Sequence, residues 1–202
     1  MKVSNPTANQ IRVAINHELS ERGGRAFNLE VDLDLPTKGI TAVFGESGSG
    51  KTTLLRCIAG LETSSRGEIQ VRDAVWQSET DIIPPHQRRV GYVFQESSLF
   101  PHLNVKKNIA FGISRSPSLL DSQRYDQIIE LMGLAPLLQQ YPDQLSGGER
   151  QRAAIARALI IEPDLLLMDE PLASLDIKRK QEILPYLESV HEKLDVPIIY
   201  VT

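Results

Sequence analysis

Eight residues, Gly45-Glu46-Ser47-Gly48-Ser49-Gly50-Lys51-Thr52, fit G-x-x-x-x-G-K-[ST], a spacing that suits phosphate. Glycines at 45, 48 and 50 let the backbone close round an oxyanion without Cβ clashes. Lys51 supplies a mobile cation for the β and γ phosphates, and Thr52 a hydroxyl for Mg²⁺. The phosphate-binding set is taken to run from Gly45 through Thr53. By itself this loop implies binding of a nucleoside triphosphate and nothing more.

A second constellation is Leu165-Leu166-Leu167-Met168-Asp169-Glu170. An apolar run of this length reads as a buried parallel strand, and it ends on two carboxylates. Ligands of open α/β sheets bind at that end of the strands. Asp169 is then placed to hold Mg²⁺, and Glu170 to polarise an attacking water. A third is Leu145-Ser146-Gly147-Gly148-Glu149. Ser146 and Glu149 make a capping box opening a helix over 151–160. The box explains the serine and the glutamate but not two adjacent glycines, which leave bare N–H groups at a second helix N-terminus. Two phosphate-binding helix ends in one chain suggest two copies paired head to tail, each covering the other's nucleotide.

The elements that position these groups follow from periodicity. Ile40 to Phe44 reads as a short buried strand feeding the loop, and Thr52 to Leu61 as a helix with Leu54, Leu55 and Ile58 on one face, closed by Gly60. Ahead of it, Ile11-Val13-Ile15 and Phe27-Leu29-Val31-Leu33-Leu35 alternate with polar residues, a pair of strands joined across Arg22-Gly23-Gly24-Arg25. Gly67–Val71 and Ala74–Trp76 continue in extended form, and Arg89 to Gln95 is a core strand ending on a polar residue. From Ser97 to Leu145 the pattern turns helical, with Asp121-Ser122 capping a helix that carries Ile128, Ile129, Leu131 and Met132 and stops at Gly133. Ile183, Leu187, Val190 and Leu194 mark a helix kinked or interrupted near Pro185, and Pro197–Val201 a last strand. The fold expected is α/β: a P-loop NTPase with a mainly parallel sheet, an N-terminal antiparallel β layer and an inserted helical lobe. Residues 1–202 form one domain, with 1–95 and 161–202 as catalytic core and 96–160 as the lobe.

The 202 residues carry a net charge of −4, which speaks against an electrostatic nucleic-acid surface. One cysteine, Cys57, leaves no internal disulfide or thiolate metal cluster and reads as a packed, inert thiol. The start is polar, without a signal-peptide core, and no apolar run approaches membrane-spanning length.

In order, the P-loop, Gln95, Leu-Ser-Gly-Gly-Glu, Asp169-Glu170-Pro171 and Ser174-Leu175-Asp176 make the sequence similar to ATP-binding cassette (ABC) transporter ATPases over nearly its whole length. Arg88 to Gln95, Leu99-Phe100-Pro101-His102, Pro171 to Ile177 and Ile183-Leu184-Pro185-Tyr186-Leu187 make it resemble the molybdate-importer branch most. Iron, sulfate and polyamine importer ATPases share parts of the first two stretches.

The resemblance implies an ATP hydrolase using ATP and Mg²⁺, with Glu170 and Gln95 catalytic and Thr52, Gln95 and Asp169 around the metal. Ser146, Gly147 and Gly148 would bind the nucleotide of a second copy, and Asp176 would cross that interface. Phe100-Pro101-His102 would lie near the groove that receives a membrane permease. The expected place is the cytoplasmic face of the plasma membrane, served indirectly by an extracytoplasmic binding protein, with no nucleic-acid partner. A soluble ABC ATPase acting on nucleic acid is the rival, disfavoured by the charge and by the short interval from Gln95 to Ser146. A P-loop kinase would not need Leu-Ser-Gly-Gly-Glu. No adenine-stacking aromatic is identified, Phe27 falling on the inward face of its strand. The family carries a histidine directly after the strand at 197–202, where this sequence stops. The expectation is therefore a shortened chain, weak in ATP binding and turnover, with an uncovered sheet edge beyond 197–201.

Overall fold

The computed structural model describes residues 10–19, 27–112, 122–171 and 177–202. Two four-stranded sheets carry the fold. The first is antiparallel, in the order β2-β1-β4-β5, from β1 (Gln10–Leu19), β2 (Phe27–Pro36), β4 (Arg66–Val71) and β5 (Ala74–Gln77). Alternation settles the pairing, with Ile11 opposite Leu35, Val13 opposite Leu33 and Ile15 opposite Val31. A one-residue slip would turn each apolar side chain to the wrong face. Ile11, Val13 and Ile15 are all buried. The connection expected at Arg22–Arg25 lies outside the described residues, as does the side chain of Phe27.

The second sheet is parallel, in the order β3-β8-β7-β6, with β3 at Ile40–Val43, β6 at Val90–Val93, β7 at Leu165–Asp169 and β8 at Ile198–Val201. Every residue of β7 is buried because it divides its side chains between two cores. Leu165 and Leu167 join Leu54, Leu55 and Ile58 beneath the antiparallel sheet. Leu166 and Met168 join the core formed with the helices of residues 105–194.

Two expectations about this sheet are corrected. The strand before the phosphate loop is not buried: Ile40 is 45% exposed and Phe44, just past it, 74%. The last strand is not the edge either. β8 lies between β3 and β7, and among the described residues the sheet ends on β3 at one side and on β6 at the other. Composition could not separate these cases, since a short β-branched run suits a central strand and an edge strand alike.

The helices are α1 (Lys51–Ala59), α2 (Val105–Ala110), α3 (Ser122–Leu131), α4 (Gly147–Leu159) and α5 (Ile177–Leu194). Ile128, Ile129, Leu131 and Met132 of α3 and its exit are buried as their spacing implies; Asp121, the expected cap, lies outside the described residues. Helix α4 starts at Gly147 rather than at 151. Helix α5 runs through Pro185 without interruption, keeping Ile183, Leu187, Val190 and Leu194 buried.

Helix α1 ends on Gly60 in the left-handed conformation at φ 77°, its N–H returned to the carbonyls of Arg56 and Cys57, as helix C-termini favour. The buried guanidinium of Arg88 completes that end. It donates to the carbonyls of Cys57 at 3.2 Å, Ile58 at 2.6 Å and Ile83 at 2.8 Å. A Cβ on Gly60 would come within 2.7 Å of it. Arg88 thereby ties the helix that begins at Lys51 to the strand that leads to Gln95.

Candidate functional site

Helix α1 has Gly50 at its N-cap, with φ 91° and no side-chain capping bond. The first-turn N–H groups of a helix have no intrahelical acceptor, so here they face whatever the loop encloses. Ser49 N–H donates to the Glu46 carbonyl at 3.2 Å and curls the loop. The Lys51 ammonium donates to the carbonyls of Gly45 and Glu46, at 2.9 Å each. Residues 45–49 are exposed. Gly48, at φ 81°, has open space where a side chain would stand. Uncapped donors, a lysine held only by carbonyls and open volume above them suit an oxyanion.

The sheet register brings the carboxylates to that loop. Tyr92 of β6 pairs with Leu167 of β7, and Asp169, two residues further along β7, projects from the same face. That face carries α1. The Thr52 hydroxyl donates to Asp169 Oδ1 at 2.8 Å, and the Tyr92 hydroxyl to Asp169 Oδ2 at 3.3 Å. Asp169 is buried, and burial, with Asp169 beside it, pushes the Tyr92 phenol well above its ordinary pKa. Beyond the strand, Glu170 adopts φ 42°, an uncommon conformation for a residue with a side chain. Its N–H donates to the Val201 carbonyl at 3.1 Å. Its carboxylate accepts from Gln95 Nε2 at 3.3 Å. The residues Thr52, Asp169, Glu170 and Gln95 therefore form two bonded pairs, Thr52 with Asp169 and Gln95 with Glu170, joined at the consecutive residues Asp169 and Glu170 at the end of β7.

The donor set fits Mg²⁺ better than a tightly caged metal. Among the described residues no group of three or more His, Cys, Asp or Glu side chains could hold an ion. Mg²⁺ commonly takes one or two carboxylates and completes its shell with water and substrate phosphates.

At the second helix end the capping box forms as expected. Ser146 N–H donates to Glu149 Oε2 at 2.7 Å, and Glu149 N–H to Ser146 Oγ at 3.3 Å. The backbone N–H of Ser146, and then its hydroxyl, hold the Glu149 carboxyl below its usual range. Ser146 is exposed, whereas Gly148 is buried in its own chain. A cleft of about 390 Å³ separates Gln95, Glu96 and Ser97 from Gly147, Arg150 and Gln151. Asp176 and Ser174 lie outside the described residues. Near Ser97, Phe100 stacks on Phe111 at 4.4 Å beneath the Arg157 guanidinium, leaving Pro101 and His102 exposed.

Two residues at this site are not singled out by motif. Tyr92 follows only from knowing that β6 lies beside β7. Arg88 opens the stretch Arg88 to Gln95 that carries the family resemblance but is assigned no role by the sequence, yet it is 5% exposed.

A family model described as ABC transporter matches residues 29–173. The chain is 60% identical over 176 residues to the Molybdenum import ATP-binding protein ModC of Thiobacillus denitrificans, covering 87% of this chain and 49% of that protein. It is 59% identical to the protein of the same name from Methylococcus capsulatus, with the same coverages. The chain spans about half the length of the curated relatives it matches. A solved structure, the post-hydrolysis dimer of the ATP-binding cassette MJ0796 bound to ADP and Pi, superposes with a TM-score of 0.75 at 25% identity. It covers 95% of this chain and 87% of that one.

Proposed function

The chain belongs to the ABC transporter family, and from that premise we propose that it binds and hydrolyses ATP with Mg²⁺ to drive an importer, for molybdate. The observation that carries the reading is the bond from Thr52 on the phosphate-loop helix to Asp169 at the strand end. The names of the relatives support the substrate, and the solved ADP-bound dimer supports pairing with a second copy.

In this proposal the Lys51 ammonium leaves the carbonyls of Gly45 and Glu46 for the β and γ phosphate oxygens. The N–H groups of Gly45 to Thr53 surround the phosphates. Thr52, Asp169 and Gln95 hold Mg²⁺, which when bound neutralises phosphate charge and orients the γ group. Glu170 accepts the proton of the attacking water, and Gln95, already bonded to its carboxylate, keeps that water in line. Ser146, Gly147 and Gly148 meet the nucleotide of the second copy, with Asp176 at the junction. Residues 96–160 form a lobe set against a core of 1–95 and 161–202. Near Phe100-Pro101-His102 that lobe meets a membrane permease fed by an extracytoplasmic binding protein, which puts the subunit peripherally on the cytoplasmic face of the membrane. Among the described residues no helix is long and apolar enough to cross a membrane.

The test pairs two variants. Lys51→Ala is expected to lose ATP binding in a calorimetric titration. Glu170→Gln is expected to keep binding while turnover falls about 10²–10⁴-fold, and to pair chains under Mg-ATP in light scattering. Unchanged affinity in Lys51→Ala would remove the phosphate role.

A further inference from the structure

We propose that Tyr92 is a positioning residue: its hydroxyl fixes the rotation of the Asp169 carboxylate so that Oδ1 stays with Thr52 and the metal position. This rests on the nucleotide reading above and names a residue that the loop and strand-end motifs leave out.

Asp169 offers two oxygens, and its own side-chain torsion does not decide which one faces the phosphate loop, because the terminal torsion of a carboxylate is broad. Thr52 takes Oδ1 at 2.8 Å. Without a second partner, the carboxylate could keep that bond while swinging about the Oδ1 contact. Tyr92 supplies the second partner, at 3.3 Å to Oδ2. The phenol cannot act as a loose tether. Its ring packs against the core shared by α1, β7 and the antiparallel sheet and lies 4.4 Å from the Phe94 ring. Its backbone is fixed in register with Leu167. A hydroxyl on a rigid ring, carried by the neighbouring strand, therefore holds the second carboxylate oxygen on the same face of the sheet where Thr52 of α1 holds the first. Arg56, one helical turn after Thr52, is bonded to Glu62 at 2.5 Å, which is the main cause of its raised pKa, with the Asp169 charge adding less.

A carboxylate oriented before the cation arrives loses less rotational freedom on binding it. The Tyr92 hydroxyl touches neither phosphate nor metal in this scheme, so its effect falls on the metal-dependent part of nucleotide affinity. The phosphate loop's own grip is untouched. A residue that merely filled space would change both or neither.

Tyr92→Phe removes one oxygen and keeps the ring. Fluorescent ATP binding is measured against Mg²⁺ concentration and again in excess chelator. The expected result is a roughly threefold to tenfold rise in the Mg²⁺ needed for half-maximal binding, with affinity in chelator unchanged, as for one hydrogen bond of ordinary net strength. An unchanged Mg²⁺ requirement, or an equal loss in both conditions, overturns the proposal. A second arm needs no nucleotide. In a thermal-melt cycle of Tyr92→Phe, Asp169→Asn and the double variant, the single-variant shifts are expected to miss additivity by roughly 2–4 °C. Strict additivity also overturns it. A wild-type chain that binds no ATP while the cycle shows coupling would remove the nucleotide reading and leave the Tyr92–Asp169 contact standing.

Discussion

At the scale of single residues, the capping box at Ser146 and Glu149 gives a pH dependence with a definite sign. The Glu149 carboxyl is held below its ordinary 4.5 by the N–H and hydroxyl of Ser146. A depressed acid stabilises the fold above its ordinary value, and that contribution is lost as pH falls through the lowered folded value. The group is largely solvated, so screening keeps the effect small. In melting curves, Glu149→Gln is expected to be less stable than wild type near neutrality. The gap should narrow from about pH 4.5 downward, since the amide keeps the geometry without the charge. A constant gap across that range would mean that the carboxylate charge contributes nothing. Both halves of this cap were legible in sequence, because S-x-x-E states its own hydrogen bonds. The inertness expected of Cys57 is supported by its surroundings: it is buried, and burial pushes the thiol up to about 11. Tyr92 was not legible, since nothing local reveals which strand lies beside it.

At the scale of elements, α1 is the part whose placement matters most, and it is held at both ends. Asp169 anchors its first turn through Thr52, and Arg88 closes its last through the carbonyls of Cys57 and Ile58. Burial lowers the Arg88 pKa, and the carbonyls at the negative end of the helix stand opposite the cation. Arg88→Met leaves those carbonyls short of a donor, and buried acceptors left unpaired are costly. The variant is expected to lose about 2–3 kcal/mol in urea unfolding. An equal midpoint would mean that burying the cation cost as much as its bonds returned. Element type was readable wherever apolar residues kept a period, as in β1, β2 and α3, or ran unbroken, as in β7. Element environment was not. Ile40–Val43 and Ile198–Val201 look alike as apolar β-branched runs, yet one forms the edge and the other is enclosed. Only long-range pairing, encoded in no single stretch, separates them.

At the scale of the molecule, β3 ends the parallel sheet among the described residues. An apolar strand at the end of a sheet can act as a template for another strand, and Ile40 of β3 is 45% exposed. Placing a charge on it is a common natural remedy. Ile40→Lys is therefore expected to suppress concentration-dependent association of the 202-residue chain in light scattering, with its far-ultraviolet dichroism unchanged. Equal association in both proteins would locate the sticky surface elsewhere. The two-sheet architecture itself could be anticipated from sequence, because an alternating β layer followed by strand–loop–helix units has few ways to bury its faces.

The interposed position of β8 also has a meaning in time. During synthesis the ribosome releases β3 early, yet among the described residues its neighbour in the parallel sheet is β8, which emerges only after α5. At roughly 5–20 residues per second, the strand feeding the phosphate loop waits on the order of ten seconds for its neighbour. The β1–β2 hairpin and β4 can meanwhile pair from nearby sequence. A lesion in Ile198–Val201 would therefore leave the strand that feeds the phosphate loop without its parallel neighbour.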